Sequence, residues 1–297
     1  MAHAKRQVDL AAISSLAPVA ALLPTWAIAI AIFWLPFWKF TDVSFPLFAF
    51  AALSLGIILF SKSIQKLFLA RLLGARQPTY EESVALYQAW RRVAKANHIS
   101  TSSFLLAVVD SNELNAFASG GHLLVVSSFA VNELDNNELT GVLAHELSHH
   151  LGSHTVALTV AQWLSLPILL LARTGFILQT IAEAISDTLG SRLSIVKFFG
   201  ILASAALTIV SSIFVSGLIV AQTLSNAVGY SSEFQADRRV VHMGFGRELL
   251  HALSRVADQT NYLEQFSHNQ ILVSSHPPAR ERATRLEALL QTEDPFR

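Results

Sequence analysis

Four long stretches of this chain carry no charged side chain: residues 10–38, 43–61, 155–172 and 198–232. A helix needs about 18 apolar residues to cross the hydrocarbon core of a bilayer, and each stretch approaches or exceeds that length. The expectation is therefore a polytopic membrane protein, mainly α, with about four transmembrane helices. Composition agrees. Of the 297 residues 52% are hydrophobic and only 14% charged, with a mean hydropathy of +0.46, where a soluble domain carries about 25% charged residues. Pro167 interrupts the third stretch, and the apolar pattern resumes at 176–185 after Arg173, so a kinked span or a re-entrant segment is expected there. Lys5 and Arg6 precede the first stretch as in a secretory signal. Its apolar run, however, exceeds a signal core of roughly 7 to 15 residues, which points to an uncleaved anchor.

Charge placement sets an orientation. Lys5 and Arg6 lie before the first stretch, Lys39 alone between the first two, and Lys62, Lys66, Arg71, Arg76, Arg91, Arg92 and Lys95 after the second. The positive-inside rule then puts both termini and residues 62–154 in the cytoplasm, with a loop at 173–197 outside. Acidic and basic residues balance at 21 each, so nothing favours a nucleic-acid partner. The absence of cysteine excludes disulfides, thiolate metal sites and cysteine nucleophiles.

The expected cytoplasmic part has a readable order. The segments SFLLAVVD (103–110) and GHLLVVSS (121–128) read as strands, joined through SNELNAFASG, with Gly120 and Gly121 giving turn freedom. Asp135 and Glu138 form a candidate capping box, which starts a helix near Asn136. At about 100° per residue, Leu139, Leu143, Leu147 and Leu151 make one apolar stripe, while His145, Glu146 and His149 fall on the far side with Val142. Histidines at i and i+4 share a face and can hold one Zn2+, and the glutamate after the first can take a proton from water. His145, Glu146 and His149 match this HExxH spacing.

A catalytic zinc site takes a third protein ligand. His154 is one candidate, since Gly152 stands where the HExxHxxGxxH pattern wants glycine; that pattern, however, needs histidine where this chain has Thr155. Glu233 in SSEFQADRR (231–239) is the other, with Asp237 one turn later able to accept the ring N–H of a ligand histidine. An acidic pair beside Arg238 and Arg239 also fits a solvated helix face.

The ordered set NAFASGG (115–121), LTGVLAHELSHH (139–150), SSEFQADRR and SHPPARER (275–282) resembles the HtpX-type membrane zinc metallopeptidases, gluzincins related to the CAAX prenyl endopeptidases. The resemblance runs from about residue 78 to 290. It implies that His145, His149 and Glu233 bind one Zn2+ per chain, that Glu146 is the general base, and that Asp237 supports the ligands. It further implies that Asn115, His276 and Arg282 line the cleft, Asn115 toward substrate and His276 or Arg282 toward the oxyanion. Ser148 stands where glycine is common, and no basic residue precedes Glu233 as it often does in the family.

The resemblance implies a cytoplasmic, zincin-like α+β metallopeptidase domain with a small β-sheet. The organisation expected is an N-terminal transmembrane hairpin (1–61), a catalytic part with HExxH (62–154), a second hairpin (155–225) and a catalytic part with the third ligand (226–297). The partners expected are the lipid bilayer and polypeptide substrates, unfolded or membrane proteins in quality control at a bacterial inner membrane, with GHLLVVSS as an edge strand for substrate pairing. Two other readings are an intramembrane protease, for which residues 132–154 are too polar, and a non-catalytic scaffold, which a broken motif would have marked. Beside the ligand set that the resemblance implies, His98, His122, His150, His154, His242, His251 and His268 read as structural or exposed.

Overall fold

The computed structural model describes residues 16–151, 154–190, 194–264 and 277–292, in two compact units. One unit is Ile57–Thr159 with the described residues from Asn226 onward; the other is Leu16–Gly56 with Val160–Ser225.

The second unit is helical and apolar. Helix α1 (Ala17–Phe40) is followed by α2 (Phe45–Leu55), which tightens into a 3-10 turn at Gly56–Phe60. Long helices α6 (His154–Gly190) and α7 (Ser194–His242) each begin or end in this unit. Among the described residues, three helices are long and apolar enough to cross a membrane: Ala17–Phe40, Thr155–Thr188 and Ser194–His242. The fourth apolar stretch forms the shorter helix Phe45–Phe60. At 1.5 Å per α residue and 2.0 Å per 3-10 residue it reaches roughly 26 Å, close to one hydrocarbon thickness. Leu22, Trp26, Ala29 and Ile30 of α1 pack on Leu164, Ile168 and Ala172 of α6 and on Phe214 and Ala221 of α7. Small residues let these helices approach. A Cβ at Gly217 would lie 2.4 Å from the Thr25 hydroxyl, and one at Gly56 would lie 2.7 Å from the Trp163 indole.

Two expectations change here. Pro167 sits inside one continuous helix, so of the two forms expected for the third stretch the re-entrant one is not seen. Most of the loop expected at 173–197 is helical, and Gly175 and, just beyond it, Gly200 sit at close helix contacts: a Cβ on them would strike Ser211 and Ser186 respectively.

The first unit holds a four-stranded sheet: β1 (Ala75–Arg76), β2 (Leu105–Val109), β3 (Ala116–Ser119) and β4 (Leu123–Ser127), in the order β1-β2-β4-β3. β2 and β4 run parallel from Leu105 opposite Leu123 to Val109 opposite Ser127, and β3 is antiparallel to β4. The reading of GHLLVVSS as an edge strand is therefore corrected. β4 lies between two neighbours and is buried throughout, as its unbroken LLVV run requires, and the edge on that side is β3.

Helix α3 (Tyr80–Ala96) opens with a capping box in which Thr79 N–H donates to Glu82 at 2.7 Å and Glu82 N–H to the Thr79 hydroxyl at 3.3 Å. After α4 (Ser128–Glu133), helix α5 (Asn136–Leu151) opens with the expected box: Asp135 N–H donates to Glu138 at 2.9 Å, and Glu138 N–H to Asp135 at 2.8 Å. α5 is the axis of this unit. Leu139, Leu143 and Leu147 are buried against α3 and helix α8 (Gly246–Glu264), each contributing about 1.5–3 kcal/mol of hydrophobic stabilisation. Gly141 permits the α8 crossing, since a Cβ there would lie 2.3 Å from the Leu249 backbone nitrogen. The polar side of α5, expected to leave the buried stripe, is buried as well. Side chains from α7 and from α9 (Ala279–Thr292) cover it.

Candidate metal centre

The capping box and the leucine stripe fix both the start and the rotation of α5. His145 and His149, one turn apart, therefore share the face opposite Leu143 and Leu147. Glu233 arrives on α7, 88 residues later in the chain. His145 Nε2 lies 3.2 Å from His149 Nε2 and 3.2 Å from Glu233 Oε2, and His149 Nε2 lies 3.2 Å from Glu233 Oε1. Donor atoms about 2.0–2.1 Å from one tetrahedral ion stand roughly 3.3 Å apart, so two imidazoles and a carboxylate at this spacing could hold a metal ion together.

The surrounding groups orient this trio. Asp237, one turn after Glu233 on α7, lies with Oδ1 3.0 Å from His145 Nδ1. An Nδ1–H donating to that carboxylate leaves the Nε2 lone pair facing the cluster. Arg282 comes from α9 and grips Asp237 with two bonds, Nε to Oδ2 at 3.0 Å and Nη2 to Oδ1 at 2.7 Å, while Nη1 lies 3.2 Å from Glu233 Oε2. Glu146, next to His145 on α5, is buried with them.

Charge favours a cation at this constellation. With the His145 ring neutral, Glu146, Glu233 and Asp237 bring three negative charges and Arg282 one positive, leaving two net negative charges among groups no more than 6% exposed. Burial and the charge of Arg282 press the His145 ring toward neutrality, but its bonds to Asp237 and Glu233 outweigh them and raise its pKa to about 9. Burial likewise opposes the Arg282 charge, yet Asp237, Glu233 and Glu146 keep the guanidinium above its ordinary value. A bound dication would neutralise the group and displace the His145 proton.

Among the other residues expected at the site, Asn115 stands exposed at the head of edge strand β3, with its N–H bonded to the Ser127 hydroxyl at 3.1 Å. His276 and His268 lie outside the described residues, as does the side chain of His154. His150 is structural, as expected: it is buried, 3.3 Å from the Leu123 carbonyl, with its ring 4.9 Å from that of Phe104 at a tilt of 57°. Two supporting residues escaped the sequence reading. Arg239 donates to the Ser148 carbonyl at 3.0 Å, and Arg255 pairs with Glu138 of the α5 capping box at 3.1 Å. The arginine pair at 238–239 was a visible signal; Arg255 had none.

Residues 82–290 match the profile of peptidase family M48. The chain is 25% identical over 238 residues to a protein named Protease HtpX homolog from Bacillus pumilus (strain SAFR-032), covering 73% of this chain and 76% of that one. It is 28% identical over 201 residues to Protease HtpX of Shewanella loihica (strain ATCC BAA-1088 / PV-4), covering 62% and 67%. Among solved structures, that of S. mikatae Ste24p aligns over 92% of this chain and 64% of its own, with a TM-score of 0.48 and 19% identity. A profile match over most of the chain, joined to helices long enough to span a bilayer, shows that the chain belongs to peptidase family M48 as a membrane metalloendopeptidase.

Proposed function

We propose that this chain is a zinc endopeptidase in which His145, His149 and Glu233 hold the ion and Glu146 is the general base. The carrying observation is the set of three 3.2 Å separations among donor atoms: His145 Nε2 to His149 Nε2, and each of these nitrogens to the Glu233 carboxylate. Two imidazoles and one carboxylate form a known donor set for catalytic zinc, which when bound supplies a Lewis acid for the scissile carbonyl and for water. Glu146 takes the water proton and returns it to the leaving amine. Asp237 holds the His145 tautomer. Arg282, engaged with Asp237 and Glu233, acts as a positioning residue that keeps both carboxylates aimed; this favours His276 over Arg282 as the oxyanion donor.

The substrate is extended polypeptide. Strand β3 packs on α5 at the sheet edge, and its free backbone groups suit an added strand, with Asn115 at the entry. Backbone pairing of this kind tolerates varied side chains, which fits unfolded or damaged membrane proteins. The basic run from Lys62 to Lys95 supports a catalytic side in the cytoplasm at a bacterial inner membrane, with hairpins 1–61 and 155–225 spanning and parts 62–154 and 226–297 carrying the site. An intramembrane protease is disfavoured because α5 precedes the candidate span Thr155–Thr188 and packs with the sheet. Glu146→Gln tests the mechanism: the amide cannot accept the proton, so cleavage of an unfolded protein substrate should stop while zinc content stays at the wild-type level. Wild-type turnover in that variant would overturn the general-base role.

A further inference from the structure

The chain does not pass directly from its second apolar helix to the sheet. Residues 62–72 form one helical run, with a π turn at Gln65–Leu69 between two short α segments. The inner side of this run is fixed. Gln65 is fully buried, and its Nε2 donates to the Leu59 carbonyl at 2.9 Å and to the Gly120 carbonyl, while Leu69 and Ala70 pack with Ala107, Leu123 and Val125 of the sheet. The outer side is different: Lys62, Ser63, Lys66, Leu67 and Arg71 are all exposed.

The π turn creates that outer face. In an uninterrupted α-helix, residues 66 and 71 would stand about 140° apart. A turn closed by an i→i+5 bond, here Ala70 N–H to Gln65 O, holds one more residue and brings Lys66 and Arg71 to the same side. Leu67, 62% exposed, lies between them, and Ile57, 69% exposed, precedes them in the 3-10 turn. The other basic groups nearby are committed: Lys62 donates to the Ser102 carbonyl at 2.9 Å, and Arg76 pairs with Glu82 and Asp110. Among the described residues no carboxylate pairs with Lys66 or Arg71.

We propose that the outer face of 62–72 is a membrane-surface contact that selects acidic phospholipid headgroups through Lys66 and Arg71, with Leu67 inserted beside them. Chain continuity favours lipid over other partners. Lys66 lies six residues after Phe60, the end of the apolar helix Phe45–Phe60, and so within roughly 20 Å of that helix end whatever the local conformation. Two unpaired cations flanking an exposed leucine this close to an apolar helix have the composition of an interfacial segment. Because the opposite side is bonded through Gln65 to the turn after β3, the contact would be made by a fixed part of the catalytic unit. The proposal rests on membrane residence and not on the identity of the metal.

The chain has no cysteine, so Ser63→Cys gives a single labelling position on this face. The full-length, metal-loaded protein carrying a fluorophore there would be reconstituted with nitroxide-labelled phosphatidylglycerol or nitroxide-labelled phosphatidylcholine. Wild type should be quenched preferentially by the acidic lipid. That preference should fall about fivefold for Lys66→Gln or Arg71→Gln and roughly 25-fold for both, from the contribution of one basic residue near an anionic surface. The charge-keeping pair Lys66→Arg and Arg71→Lys should retain it. Glycerol phosphate in the aqueous phase should leave it intact; its loss there would make this a small-anion site and overturn the lipid assignment. Equal quenching of wild type by the two lipids, or an undiminished preference in the double Gln variant, would also overturn it.

Discussion

Removing Glu233 tests the metal centre most sharply, because the structure separates what this carboxylate does from what Asp237 does. Glu233→Ala deletes one of three donors, leaving His145 and His149 with their Nε2 atoms 3.2 Å apart, and strips Arg282 of its Nη1 partner. The net charge of the buried group falls from two negative to one, which further weakens attraction for a dication. Asp237→Ala keeps all three donors but frees the His145 ring and leaves Arg282 paired with Glu233 alone. Loss of such a supporting carboxylate lowers metal affinity by about 10–100-fold. Loss of the ligand should therefore exceed about 100-fold, and His154→Ala should be nearly silent. The assay is zinc affinity by chelator competition on each folded, full-length variant at one pH. An affinity for Glu233→Ala within the range of Asp237→Ala, or a large loss only in His154→Ala, would refute the assignment of the third ligand.

Metal affinity should also depend on pH. A folded pKa of about 9 on His145 means that metal competes with a proton, so apparent affinity should rise about tenfold per unit between pH 7 and 9 and level off above, and a pH-independent affinity would contradict this. In the metal-free protein the sign reverses: the protonated ring contributes stability that is complete below the ordinary histidine pKa and lost as pH rises through about 9. Gly141→Ala should lower the thermal midpoint by an amount corresponding to about 1–3 kcal/mol, because the new Cβ meets the Leu249 and Glu248 backbone at 2.3 and 2.6 Å; a raised midpoint, the ordinary result of Gly→Ala in a helix, would show that α8 yields without strain. A cysteine at Gln77 should react only with reagent on the cytoplasmic side and one at Thr188 only from outside, and the reverse pattern would overturn the orientation.

What could be read from the sequence was whatever lies within a few residues. The apolar stretches, the Asp135–Glu138 box and the i, i+4 histidines are all local patterns, and the helices they imply are present. Strand β3 was missed because AFAS offers no alternation and sits among turn formers; its pairing partner β4 is what makes it a strand. Gly175 and Gly200 are small where another helix presses on them, a requirement that no local pattern shows. The burial of His145, Glu146 and His149 was not legible on α5 itself. It is imposed by Glu233 and Arg282, which are 88 and 137 residues away from His145 and belong to helices whose faces carry no label in the sequence.

That long-range assembly explains why the polar face of α5 can be buried at all. A group with two net negative charges held away from water is unfavourable unless something compensates it, and Arg282 compensates only one of three carboxylates. Protonation of His145 supplies a second positive charge, which is the physical content of its raised pKa; a dication in its place supplies both missing charges and uses the donor spacing already present. The same carboxylates that draw α7 and α9 onto α5 thus create the demand for the metal. Binding it should tighten the packing of the three helices as well as enable chemistry, in the way that metal affinity becomes folding free energy wherever a site is assembled from distant segments.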